Sequence, residues 1–270
     1  MTGFQKVIKY CAIAFALFLI ISIISGIVGA VGALVYWTKG DADAVGPMQT
    51  YEVSNNVQNL DLEISAAELK IVSGSYFQVE SNHNYLTVKE ENGTLRISEK
   101  KVFTGASVKD VQVVLTVPEG FVFDEASIET GAGKVSINAL SAYELSMDLG
   151  AGQTTIETLN VLSRGSISTG AGEVIIRGGE MQNLSLDHGV GRLSLQGRLE
   201  GVCDVDFGIG EAELKLVGSA EDYKITLDKG LGDATMDGVP MADDGVYGTG
   251  PNRIKLNGGI GAIRVRFVEE

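Results

Sequence analysis

Asp187, Asp204 and Asp206 fall where neighbouring repeats of this chain would set their carboxylates side by side. Adjacent like charges repel, and an oxygen-rich group of this kind attracts Ca²⁺; no other cofactor is suggested. The other reading is a solvated ladder whose Asp side chains accept hydrogen bonds from nearby turn amides. The repeat is too long for the calcium-binding nonapeptide. A second candidate is the Gly-x-Gly of "MDLGAGQTTI", which has the shape of a phosphate-cradling turn. A dinucleotide fold uses one such turn, opening a helix; here the motif recurs, and no helix-period pattern follows. His83 and His188 are the only histidines, and nothing in their spacing supports a Ser-His-Asp nucleophile. Carboxylates are numerous enough for glycoside cleavage, yet a ladder of acids follows from the repeat itself. Of the two cysteines, Cys11 and Cys203, the second reads as a small core residue, and the pair makes no disulfide framework. No catalytic residue is assigned, and the chain is read as a non-enzyme.

What must position these groups is a repeat. The glycine pairs are Gly131/Gly133, Gly150/Gly152, Gly170/Gly172, Gly189/Gly191, Gly208/Gly210, Gly230/Gly232 and Gly259/Gly261. Successive pairs lie 19, 20, 19, 19, 22 and 29 residues apart. Three residues before each first glycine stand Ile128, Met147, Ile167, Leu186, Val205, Leu227 and Leu256. The residue between the glycines is also apolar: Ala132, Ala151, Ala171, Val190, Ile209, Leu231 and Ile260. Four after each second glycine stand Ile137, Ile156, Ile176, Leu195, Leu214, Met236 and Val265. Counted from the first glycine, the earlier columns fall on odd offsets and the last on an even one. A one-residue slip swaps the faces of a strand. The chain keeps both halves inward only by turning a corner at the second glycine, with the middle residue pointing inward before it. Glycine permits such a corner cheaply.

One repeat cannot bury its own apolar row, but stacked repeats can. The expected fold is all-β: a β-solenoid of about seven 19–22-residue repeats over residues 126–270, roughly 34 Å long at the usual strand spacing. "AIRVRFVEE", ending in Glu269 and Glu270, reads as its charged C-terminal stop. Residues 51–125 read as a β cap at the other end. There "LDLEISAAELKIVSG" is a degenerate rung, and Asn92-Gly93 suits a type I′ hairpin turn. The longest interval holds "GVPMADDGVYGTGPN", a loop in which Met241, Asp243, Asp244 and Tyr247 offer a contact patch. A tolerated surface insertion is the other reading.

Tyr10 to Thr38 contains no charged side chain, more than the 20 or so residues that span a bilayer. The expected order is a cytoplasmic segment 1–9, a transmembrane helix 10–38 in lipid, a stalk 39–50, then the β body. Lys6 and Lys9 before the span place the N-terminus inside and the body outside the cell. The formal net charge is −14, and the first 40 residues hold only Lys6, Lys9 and Lys39. The body is therefore strongly acidic, which argues against nucleic acid as a partner.

The N-terminal span, "ISAAELKI", the "NGTLRIS" hairpin, "LTVPEG" and the serial GAG units together resemble the DUF4097 family of bacterial adhesin-like proteins. The resemblance covers about residues 51–268. It implies a β-solenoid-like envelope protein on the bacterial cell membrane and supplies no catalytic residues. The expected function is a surface interaction module, adhesive or structural, whose partner is another envelope protein or a surface glycan. The alternative is an accessory sensor or regulator of an envelope-stress system. A third reading is a polysaccharide-active β-helix enzyme.

Overall fold

The computed structural model describes residues 45–54, 56–99 and 111–269. The expected span at 10–38 lies outside them; among the described residues no helix is long and apolar enough to cross a membrane. The fold is all-β and β-solenoid-like, built from parallel rungs. Strand Asn59–Gly74 forms a rung in register with residues 126–137, Ala66 opposite Ala132 and Ala67 opposite Gly133. The chain then runs through the continuous strand Phe123–Ile176, and on into Leu184–Glu200 and Val202–Val217. Side chains of like columns stack: Ser168 faces Asp187, Leu186 faces Val205, Leu195 faces Leu214. Rows of Leu, Ile and Val thereby form one continuous core, the burial no single repeat could achieve.

The last two rungs do not follow chain order. Val202–Val217 pairs with the C-terminal strand Asn252–Val268, and that strand pairs on its far side with Tyr223–Asp228 and Leu231–Met236. The glycines confirm the order. A Cβ on Gly261 would lie 1.8 Å from the Gly210 carbonyl oxygen, and one on Gly232 would lie 1.7 Å from that of Gly261. The C-terminal strand is therefore sandwiched and does not stop the rod. The stop is the earlier rung, whose edge is covered by two antiparallel pieces, Val239–Pro240 and Gly245–Tyr247.

The corner also differs from its sequence reading. The middle residues point outward: Ala151 and Leu231 are exposed, and Val190, Ile209 and Ile260 are half-buried. The residue before the first glycine is inward instead, with Leu149, His188 and Phe207 buried. The inward face still changes parity across the corner, but the whole Gly-x-Gly lies on the outside of the bend. Its apolar middle residues are small or β-branched in most repeats, which suits an extended, half-covered backbone better than a core.

Residues 45–50, read from sequence as part of a stalk, belong to strand Val45–Glu52, which pairs antiparallel with Gln78–His83. Pro47 sits beside an irregularity between Val45 and Gln49, where an edge strand tolerates a missing donor. The outer edge of Asn59–Gly74 is covered by Thr94–Glu99 along one half and Gln112–Pro118 along the other. Asn92 and Gly93 both take positive φ, 52° and 78°, as a type I′ turn requires. Phe77, Phe121 and Phe123 close this end with edge-on ring contacts, the nearest centroids 4.9 Å apart.

Candidate functional site

Outward columns line the rod because successive side chains of a strand alternate faces. The column two before each first glycine, with the glycine backbone as floor, borders an open groove of about 560 Å³. Its wall runs Asp148, Ser168, Asp187, Asp206, Asn257. Asp187 and Asp206 are direct neighbours in register, as are Asp204 and Lys255. The Asp187 carboxyl is raised above its ordinary value, first by partial desolvation, then by the charge and hydrogen bond of Asp206 and by Asp204. Asn257 donates its amide to Asp206 Oδ1, which offsets part of the repulsion, and Lys255 is the register neighbour of Asp204 on the next rung. Among the described residues no three acids, histidines or cysteines gather as a metal centre. Asp204 lies two residues along its strand from Asp206, about 7 Å away, so the three carboxylates mark corners of a flat lattice and do not converge.

Behind this wall, inside the rod, lies a polar spot. His188 is 2% exposed. Its Nδ1 lies 2.6 Å from Thr169 Oγ1, and its ring stacks on Phe207 with centroids 5.6 Å apart. Burial lowers its pKa. Its Nε2 is buried without a hydrogen-bond partner, which further disfavours a charge there. Cys203 is likewise an inward residue. Its thiol, pushed up by burial, accepts from the Leu184 amide and donates to the Glu200 carbonyl.

A second groove, of about 410 Å³, crosses another face. Here charges alternate between rungs: Glu173, Arg192 and Glu211 are consecutive in register. Arg264 pairs with Glu211 at 3.2 Å, and Arg177 with Glu157 at 3.1 Å. Such exposed pairs add little stability, but they give the face a fixed pattern of charge.

The long loop folds over the end of the rod. Met241 is 4% exposed, its amide donating to the Ala234 carbonyl. The Asp243 carboxylate accepts from the Lys229 amide, and the Ala242 amide donates to the Tyr247 hydroxyl. Met241 is thus a plug and not part of an exposed patch; Asp244, at a positive φ of 55°, marks the turn. The apolar surface shown outward here comes from Leu231, Val239 and Val246, none of which the repeat spacing marks for contact. In the N-terminal cap, His83 Nε2 lies 3.4 Å from Glu99 Oε1, both side chains buried. No spacing signal links these two residues, because the pairing arises only when separate strands of the cap meet.

The Toastrack DUF4097 family matches residues 52–243. Among solved structures, the chain is similar to a "putative cell adhesion protein" from Clostridium sporogenes, with 17% identity, 82% of this chain and 99% of that one covered, and a TM-score of 0.36. It is similar to a "putative adhesin" from Bacteroides fragilis, with 13% identity, coverage of 81% and 95%, and a TM-score of 0.37. It is also similar to a "putative lipid binding protein" from Parabacteroides distasonis, with 14% identity, coverage of 84% and 98%, and a TM-score of 0.38. No curated protein matches the chain.

Proposed function

This chain belongs to the Toastrack DUF4097 family, and from that premise we propose that it is a membrane-anchored, extracellular, non-enzymatic interaction rod of the bacterial envelope. The reading joins the uncharged run Tyr10–Thr38 to the stacked β body. The observation that carries it is the regular outward lattice along the groove, Asp148, Ser168, Asp187, Asp206 and Asn257. Polar groups repeat there at strand spacing, about 4.8 Å, which suits an extended ligand that is itself repetitive, such as a surface glycan. The repeats, about seven, set the length of that lattice. Lipid holds residues 10–38, and the short N-terminus stays in the cytoplasm.

The test uses cells that display the full chain. Binding to immobilised glycans or matrix is expected to exceed that of cells lacking it, and to fall when Asp148 and Asp206 are both changed to Asn. Equal binding with and without the chain refutes the adhesive reading. A change in envelope-stress promoter output on deletion, with no binding, transfers the function to regulation. Protease added to intact protoplasts is expected to remove the body; full protection refutes the extracellular placement.

A further inference from the structure

The two rungs at the distal end carry equivalent columns, yet they lie in the reverse of their chain order. We propose that they are exchangeable: Tyr223–Met236 seats first against Val202–Val217, and Asn252–Val268 then inserts between them, moving the earlier rung outward. This is independent of the proposed function.

Four observations carry it. The first is equivalence. Ile225, Leu227 and Ala234 of one rung and Ile254, Leu256 and Ile263 of the other are all buried in the same inward columns. Both rungs bring a glycine pair into close approach with the rung beneath. Either rung therefore fits the face of Val202–Val217. The second is order of availability. Tyr223 follows Val217 by 6 residues and Asn252 follows it by 35, so the nearer rung closes the shorter loop and arrives first, and an unpaired strand edge is a template for the next strand.

The third is reach. The observed placement asks residues 218–222 to cross two strand spacings, about 9.6 Å, and five residues span up to about 17 Å. The serial placement asks them to cross one. The covering pieces Val239–Pro240 and Gly245–Tyr247 pair with the moving rung itself, so the cap travels with it. The fourth is a driving force for the exchange. Val202–Val217 is matched along its whole length by residues 253–268, whereas the other rung turns away after Met236. The longer strand also places Phe267 against Tyr223, rings stacked at 5.9 Å, and supplies Ile263 where the shorter supplies Ala234. The final order buries more and pairs more backbone.

Cysteine pairs in one outward column distinguish the two orders. Asp204 faces Lys255, and Lys255 faces Thr226. In the final order Asp204 and Thr226 are two strands apart, about 9.6 Å, beyond the ~7 Å limit for a disulfide. In the serial order they are neighbours. In a Cys11→Ser, Cys203→Ala background, the full chain carries either Asp204→Cys with Thr226→Cys or Asp204→Cys with Lys255→Cys. Each is diluted from denaturant into detergent and oxidised at successive times. The 204–226 bridge is expected early, several-fold above its yield in the folded chain, and to decline as the 204–255 bridge rises. If 204–255 forms from the outset while 204–226 never exceeds its folded-chain yield, the exchange does not occur.

Discussion

The α-carbon of Gly152 faces the carbonyl oxygen of Gly133 so closely that a Cβ built on it would lie 1.8 Å from that oxygen. Its φ is +149°. The same relationship links Gly172 to Gly152, Gly191 to Gly172 and Gly210 to Gly191. Glycine is thus required here for contact between rungs as well as for the bend within one, and Gly150 meets Gly131 in the same way at 2.0 Å.

Gly152→Val is therefore expected to cost more than the ~1–3 kcal/mol of backbone strain alone, because the neighbouring rung must also move. Gly120, with φ +73° but nothing within 4 Å of its Cβ, supplies the comparison. Gly120→Ala is expected to cost about 1 kcal/mol. Thermal melts followed by circular dichroism check the pair; equal losses contradict a contact between rungs.

Burying His188 makes stability pH-dependent. Its folded pKa is lowered from 6.5, so the unfolded chain takes up the proton first as pH falls. The stability linked to this group is full above pH 6.5 and is lost as pH falls from 6.5 through the folded value. Titrating the melting temperature from pH 8 to 5 is expected to show a loss in the parent that is smaller in His188→Leu. Parallel curves contradict it.

Asp187 acts in the opposite sense. Its folded pKa is raised from 3.8, so its linked stability is full below 3.8 and is lost as pH rises through the folded value. Asp187→Asn is expected to melt above the parent at pH 7, with the difference shrinking towards pH 3.5. A variant that melts lower at neutral pH shows that the carboxylate instead supports the lattice.

Leu256 lies near the C-terminus but is 2% exposed, between Val205 and Leu227. Leu256→Ala is expected to cost about 2–4 kcal/mol, as much as Leu186→Ala in the middle of the rod. Denaturant unfolding checks this. A cost below about 1 kcal/mol is the value of an edge strand and contradicts the sandwiched position.

The sequence by itself determined the period, the strand character and most of the inward columns, because side chains of a strand must alternate and only stacking hides their apolar rows. Asn92-Gly93 likewise announced its turn, since few residues accept two positive φ values in succession. It left the family of groups around Asp187 legible as a column but not as chemistry: Asn257 and Lys255 come beside Asp206 and Asp204 only through a rung 51 residues away in the chain. The middle residue of each Gly-x-Gly was apolar yet outward, because hydrophobicity does not say on which side of a corner a side chain stands. Rung order was decided by the tertiary structure alone. Repeats with equivalent columns fit one another in any order, so local pattern cannot choose between them. The choice falls to the total length of pairing and burial, which placed Asn252–Val268 inside and made Tyr223–Met236, with Met241 as its plug, the end of the rod.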